Sequence, residues 1–345
     1  MENTRPTKGT FLGRLGSISI IDHIGATPLV RLNRVPATIG VKAQIYAKLE
    51  YFNASGSSKD RIAKRMVESA EQDGRIKPGD TLIEASSGNT GIAIALIAAV
   101  KGYKCIIVMS EVISLEKEQI LQALGAKVVR TPVGVPVDSP NHVTNTARRL
   151  QKDVPNSHIL DQFANPDNPA AHEFGTAEEI WYQSEGKVDA VIAGAGTGGT
   201  LTGTARGLRK HKPGIFMVGV DPVGSVLGIP RKSIDEKTEI LVEGIGQDFV
   251  PDVLDQGAAN LWINANNEHS FRFTRQLIRE EGLLCGGSSG ANVAALAQLV
   301  EKHPELNTPD KVIVIVFPDG MRNYLSKFVS NEWMKKNGFP AIAKL

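Results

Sequence analysis

The 345-residue chain is 41% hydrophobic and 22% charged, with a formal net charge of +2. This is the balance of an ordinary globular protein, and it gives no global field favouring nucleic acid. That length exceeds the size at which one hydrophobic core stops growing, so two lobes with a cleft between them are expected. Residues 1–17 lack the apolar core of a signal peptide and no apolar run is long enough to cross a bilayer, which predicts a soluble, cytoplasmic protein without membrane partners. Cys105 and Cys285 sit in apolar contexts and are expected to be buried, reduced thiols.

From about residue 43 onward, helical and strand signals alternate, the mark of an α/β protein. Ala43–Leu49 reads as a strand. The stretch 60–72 places Ile62, Ala63, Met66, Val67 and Ala70 on one helical face before Gly74 stops it. Thr81–Ala85 is a short strand, Ile92–Lys101 a helix apolar nearly all round, and Lys104–Met109 a buried strand. Ser114 is expected to cap a helix that ends at Gly125, and Lys127–Thr131 follows as a strand. A second series comprises the strand Val188–Ala193, a helix through Lys210, the strand Ile215–Val220, helices over Ser270–Glu281 and Ala291–Lys302, and the strand Val312–Phe317. The Pro- and Asn-rich stretch Ala164–Ala170 is the expected crossing between lobes.

Three loops share one design. SSGNTG after Ala85, GAGTGGT at Gly194–Thr200 and GGSSG at Gly286–Gly290 each join a strand to a helix through glycines and hydroxyls. Glycine lets a ligand approach the backbone, and the free N–H groups at a helix start attract anions. One such loop is a tight turn; three together suit a ligand with more than one anionic group. Gly194, Gly196 and Gly199 also satisfy the dinucleotide fingerprint G-x-G-x-x-G, with Asp221 ending the next strand. That reading leaves the other two loops without a purpose, and no separate catalytic histidine or acid supports it.

Lys59 lies between a Gly/Ser turn and a helix start in NASGSSKDRIAKRM. A helix N-terminus repels a cation, so an amine there loses its proton more easily and can attack a carbonyl. An aldehyde cofactor carrying a phosphate would use both this amine and an anion nest at 194–200, and pyridoxal phosphate fits that description.

The ordered motifs S-x-K-D-R, S-S-G-N-T-G, G-x-G-T-G-G-T and G-G-S-[SA]-G resemble the fold-type II pyridoxal-phosphate enzymes of the cysteine synthase and cystathionine β-synthase family, over about residues 18–335. KLEYFNASGSSKDRI, VPNSHILDQF, VEGIGQDFVP and MRNYLSKFVSNEWM look more like the catalytic core of cystathionine β-synthases, whereas QFANPDNPAAH is closer to cysteine synthases. The resemblance implies a two-lobed α/β fold like that of the tryptophan synthase β-subunit, each lobe a mostly parallel twisted sheet flanked by helices. Residues 55–165 would form a smaller mobile domain, and residues 18–54 with 166–345 a larger one holding the cofactor phosphate.

By the same resemblance, Lys59 is the catalytic Schiff-base lysine and Asn89 bonds the cofactor's ring hydroxyl. Gly196, Thr197, Gly198, Gly199 and Thr200 hold its phosphate, and Ser288 sits beside the pyridine nitrogen. Ser86, Ser87, Gly88 and Thr90, with Gln162 and Gly244, bind the amino-acid substrate. The implied reaction is β-replacement on L-serine or an activated serine (O-acetylserine, cysteine) through an aminoacrylate, with homocysteine giving cystathionine. The alternatives are cysteine synthesis from O-acetylserine and sulfide, another nucleophile, or a pyridoxal-phosphate-binding sensor with little turnover. The implied partners are small amino acids and thiols, a second copy in a homodimer, and a partner protein's C-terminus in the cleft.

Several positions depart from the family's pattern. Ala85 and Ser58 replace a proline and a valine, Ser110-Glu111-Val112-Ile113 replaces a Pro-Glu-x-Met run, and Gln247 and Phe163 stand where tyrosines are common. These surround the substrate, not the cofactor. No Cys or His occurs in the first 17 residues, so no haem is expected, and the end at Leu345 leads us to expect no regulatory domain pair; no metal is expected either. His172 is expected to be packed or hydrogen-bonded, and Trp181, Trp262 and Trp333 to be core or interface residues. Asp319 in FPDG either shapes the cofactor pocket or serves a plain turn.

Overall fold

The computed structural model describes residues 19–340 apart from 87, 112, 133, 137 and 231–238. Ser87, Val112 and residues 1–17, all singled out above, therefore lie outside the described residues. The strands, in chain order, are β1 (Leu29–Arg31), β2 (Gln44–Leu49), β3 (Thr81–Ala85), β4 (Lys104–Ser110), β5 (Lys127–Thr131), β6 (Ser157–Ile159), β7 (Ala190–Gly194), β8 (Phe216–Pro222), β9 (Leu261–Ala265) and β10 (Val312–Phe317). They build a six-stranded sheet of order β1-β2-β10-β7-β8-β9 and a four-stranded sheet of order β5-β4-β3-β6. Among these pairings only β1 with β2 is antiparallel.

Parallel strands covered by helices on both faces must be apolar along their length. Every residue of β10 (VIVIVF) is buried, as is Cys105–Met109 in β4. The helix Lys59–Gln72 turns Ile62, Ala63, Met66, Val67 and Ala70 inward, where they join Leu82, Ile92 and Ile107 in the core of the smaller sheet. Cys105 and Cys285 are buried and unpaired, and burial pushes both thiols up to about 12. Trp181 and Trp262 pack against one apolar cluster of the larger sheet and Trp333 against another.

Most expected elements appear within a few residues of their anticipated ends. The helix expected at Ser270–Glu281 runs from Asn267 to Gln276 and continues as a wider π-turn, Leu277–Glu281. Ser114 does not cap its helix with its side chain: the hydroxyl donates instead to the Asn323 carbonyl (3.0 Å), tying the helix Leu115–Ala123 to the C-terminal region. Strands β1 and β6 were not expected, because three-residue strands carry little periodicity of their own, and neither were β9 and the helices Val143–Asp153 and Ala177–Gln183. Asp167–Ala171, within the stretch expected as a crossing loop, is helical.

A buried ionic cluster braces the helix that carries Lys59. Arg61 Nε and Nη2 donate to Glu50 (2.6 and 2.9 Å), while Nη1 and Nη2 donate to Glu179 (2.7 and 2.8 Å). Lys48 Nζ donates to Glu179 (2.6 Å), the Thr27 carbonyl (2.7 Å) and Gln183 Oε1 (2.8 Å). Burial alone would push the Glu50 carboxyl up; the Arg61 guanidinium overrides it and holds the group below its usual range. Arg61→Met would leave Glu50 buried without its guanidinium partner and should cost about 3–5 kcal/mol, read as a lower urea midpoint. Adding Glu50→Gln should recover part of that loss.

Candidate active site

A cavity of about 280 Å³ opens beyond the carboxyl ends of β3, β7 and β10, the usual place for a ligand in open α/β sheets. Lys59, Asn89, Thr90, Gln162, Gly196, Thr197, Gly244 and Ser288 line it. A narrow recess beside it is lined by Gly198 and Thr200 and again by Lys59 and Gly196. Residues more than 200 positions apart in the sequence thus face one space.

The loop after β7 explains its own glycines. Gly198, at φ +85, turns the chain into the helix Gly199–His211, and a Cβ on Gly196 would run into the Gly244 carbonyl. The first N–H groups of that helix have no acceptor within it, and Gly198 and Thr200 at its start line the recess, which suits an anion. Thr197 Oγ1 accepts from Asn168 Nδ2 (2.9 Å) and from the Gly199 amide (3.3 Å). Thr200 Oγ1 meets Nε2 of His172 at 3.2 Å, and His172 Nδ1 meets Thr176 Oγ1 at 2.9 Å. Burial drives His172 down to about 3, so this ring is neutral and serves to orient Thr200.

Lys59 is the first residue of its helix, and among the described residues its Nζ has no hydrogen-bond partner. Burial lowers its pKa to about 8, against the pull of the Asp319 carboxylate. Loss of water, rather than the helix terminus invoked from sequence, is the main cause. Asp319 follows β10 and is itself raised by burial; it accepts from Asn89 Nδ2 (2.7 Å) and from the Tyr324 hydroxyl. Asn323 Nδ2 in turn donates to Asn89 Oδ1 (3.2 Å), so the Asn89 amide is held from both ends. Asp319 thus shapes the cavity rather than a plain turn.

The loop expected to bind substrate is only partly brought to this cavity. Thr90 Oγ1 donates to Gln162 Oε1 (2.7 Å), and both residues line it. The Ser86 hydroxyl is used at the start of the helix Asn89–Lys101, accepting from the amides of Gly88 (3.2 Å) and Gly91 (3.0 Å), and Ser86 lines a neighbouring cavity instead. Gly88 packs against Lys117, a buried side chain that the sequence reading passed over. Lys117 lines the cavity, pairs with Glu243 and lies 4.6 Å from the centre of the Tyr324 ring. Lys327 also pairs with Glu243, and the two ammonium groups hold that carboxyl low against its burial.

A family profile described as "Pyridoxal-phosphate dependent enzyme" matches residues 20–319. The chain belongs to that family. It is 53% identical to cystathionine beta-synthase of Rattus norvegicus over 321 residues, covering 93% of this chain and 56% of the relative. It is 50% identical to cystathionine beta-synthase of Saccharomyces cerevisiae over 326 residues, covering 92% of this chain and 64% of the relative. The chain therefore spans less than two thirds of the length of these relatives. Among solved structures, O-ureido-L-serine synthase superposes with a TM-score of 0.81 at 34% identity, covering 90% of this chain and 94% of that one. A hydrogen sulfide-producing enzyme from Fusobacterium nucleatum superposes with a TM-score of 0.82 at 36% identity, covering 90% and 100%. These neighbours share the fold-type II architecture of two mainly parallel sheets flanked by helices.

The family's cofactor is pyridoxal phosphate, and the residues present fit it. The recess supplies helix-start amides for a phosphate, and Lys59 supplies a partner-free amine for an aldehyde. The Ser288 hydroxyl lines the cavity and has no hydrogen-bond partner among the described residues, which leaves it available to a ring nitrogen. Asp319 Oδ1 is likewise buried without a partner.

Two titrations follow from this geometry. In cofactor-free protein, acylation of Lys59, followed by peptide mass spectrometry, should rise with a midpoint at pH about 8, whereas solvated lysines respond near their ordinary value of about 10.4. Unfolded His172 takes up a proton near its ordinary value of 6.5, the folded ring only near about 3. Its contribution to stability is therefore complete above 6.5 and lost as pH falls towards 3, by about 1.4 kcal/mol per pH unit. His172→Gln should flatten that slope in urea denaturation measured across the window.

Proposed function

We propose that this chain catalyses pyridoxal-phosphate-dependent β-replacement on L-serine or an activated serine, with homocysteine as the thiol and cystathionine as product. The observation that carries the reading is the convergence on one cavity of a partner-free lysine amine, an anion-binding helix start and the Thr90–Gln162 pair. The half-identical relatives are named cystathionine beta-synthase, which supports homocysteine as the thiol.

In this reading Lys59 holds the cofactor aldehyde and then moves the substrate α-proton. Gly196, Thr197, Gly198, Gly199 and Thr200 bind the phosphate, and His172 positions the Thr200 hydroxyl. Asn89, steadied by Asp319 and Asn323, bonds the ring hydroxyl, and Ser288 meets the ring nitrogen. A neutral hydroxyl at that nitrogen moderates electron withdrawal, which suits elimination at the β-carbon better than prolonged carbanion chemistry. When bound, pyridoxal phosphate supplies a conjugated ring that acidifies the α-proton and lets a β-substituent leave.

Thr90 and Gln162, with Ser86, Ser87, Gly88 and Gly244, bind the α-carboxylate. Because Thr90 starts the helix that packs on the four-stranded sheet, while the phosphate loop follows a strand of the six-stranded one, substrate binding draws residues 55–165 towards 18–54 and 166–345 and shuts out water. The exposed apolar side chains Val30, Phe52, Leu284 and Leu325 support a homodimer, and the reading places the protein in the cytoplasm.

The test is steady-state turnover of serine with homocysteine, with cystathionine followed by mass spectrometry. Lys59→Ala should lower turnover about a thousandfold. Thr90→Val should raise the KM for serine about tenfold while the protein keeps its yellow cofactor absorbance. Protein that stays colourless after incubation with pyridoxal phosphate, or that forms no product from any serine donor, would overturn the reading.

A further inference from the structure

The stretch Ala164–Ala170, expected as a crossing loop, runs between the two sheets and carries a residue that no step above has used. Gln162 comes three residues after β6 of the four-stranded sheet, and Thr197 three residues after β7 of the six-stranded one. Asn168, in the short helix Asp167–Ala171, joins them: its Nδ2 donates to the Gln162 carbonyl (2.7 Å) and to Thr197 Oγ1 (2.9 Å). That short helix is itself held fast. Arg65, on the Lys59 helix, donates to Asp167 (3.1 Å), and the Asn165 side chain accepts from the Asp167 amide (3.0 Å) and donates to the Leu160 carbonyl (2.8 Å). In the helix Gly199–His211, a Cβ on Gly199 would run into the Asn168 side chain and one on Gly203 into the Pro169 carbonyl, so the close approach needs both glycines.

The Gln162 carbonyl decides which way the Asn168 amide faces: it can only accept, so the nitrogen and not the oxygen must meet it. The second amide hydrogen then goes to Thr197 Oγ1, which also accepts from the Gly199 amide (3.3 Å). A hydroxyl has two lone pairs and one proton. With both lone pairs engaged, Thr197 has its proton left to give, and Thr197 lines the recess that suits an anion. Asn168 is 1% exposed, and its Oδ1 is buried without a partner. An orphaned acceptor lowers stability; the two donations from the other end of the amide account for its presence.

We infer that Asn168 is a positioning residue that serves the cofactor phosphate and the substrate carboxylate together: one amide makes the Thr197 hydroxyl a donor to the first and fixes the Gln162 backbone for the second. Asn168 lines neither the cavity nor the recess, so it acts through those two residues. The inference rests on the β-replacement reading and deepens it by naming the residue that ties the two anion sites to each other. Without the amide, the Thr197 hydroxyl is free to turn and the Gln162 backbone is no longer held from this side. A carboxylate at position 168 goes further, because it accepts the Thr197 proton and so withdraws it from the phosphate.

The experiment uses the full chain, stripped of cofactor and titrated with pyridoxal phosphate or with pyridoxal, which lacks the phosphate. In Asn168→Ala and Asn168→Asp the Kd for pyridoxal phosphate should rise about tenfold or more while that for pyridoxal stays within about twofold. At saturating pyridoxal phosphate the KM for serine should rise about tenfold, with kcat within about threefold of its starting value. A residue that only supports the fold would weaken both forms of the cofactor alike. Circular dichroism establishes folding; should Asn168→Ala fail to fold, Asn168→Asp, which keeps the side-chain volume, decides. Equal losses for pyridoxal and its phosphate, or a change confined to the cofactor Kd or to the serine KM, overturn this inference alone, as do unchanged constants. Parent protein that binds no pyridoxal phosphate, or forms no product from any serine donor, overturns the β-replacement reading and this inference with it.

Discussion

An amine kept out of water beside a carboxyl that is also kept out of water is the constraint around which the rest of this structure is arranged. Lys59 and Asp319 reach the same cavity from two different sheets' surroundings, one at a helix start and the other at the end of β10. Neither would hold its charge comfortably alone. Burial draws the amine down and the carboxyl up, so both are tuned towards neutrality. The Tyr324 and Asn89 bonds then decide where Asp319 can point, and through Asn323 they fix the Asn89 amide as well.

Such a poised site needs rigid footing, and the footing is ionic as well as apolar. Arg61 lies on the same helix as Lys59 and is clamped by Glu50 and Glu179, so the first turn of that helix cannot drift relative to β2 and the helical segment that carries Glu179. The arrangement buries two cations with two carboxylates, and its value lies in placement more than in net stability. Across the cavity, Lys117 and Glu243 join the helix after β4 to the loop preceding β9, with Lys327 as a second cation. Charge is thus concentrated around the site and matched in sign, while His172, which touches the phosphate-type loop, is held neutral by burial.

The residues readable in advance were those whose role is written locally. Strand β10 was legible to the residue because a buried parallel strand is an uninterrupted apolar run, β3 and the partly exposed β5 also matched their expected bounds, and the helix at Lys59 was legible from its apolar stripe. The strand–turn–helix shape of the loop after β7 was legible because such a turn needs glycines in fixed order. By contrast, Lys117 sits in the polar segment LEKEQ, where every local rule makes it a solvated charge; only the approach of Glu243, 126 positions away, gives it a buried role. Ser86 and Ser114 show the converse, since a hydroxyl beside a helix start has several available partners, and packing chose among them.

The chain by itself determined the alternation of strands and helices, the amine at position 59 and the phosphate-type loop, because these follow from periodicity and from the backbone freedom of glycine. Tertiary structure alone decided which sheet each strand joins, why Lys59 loses its proton readily, what faces His172, and that two cavities share a wall at Phe163 and Gln247. The reason is that desolvation and long-range pairing depend on which surfaces meet. A linear pattern of residues records the supply of such surfaces, not their encounter.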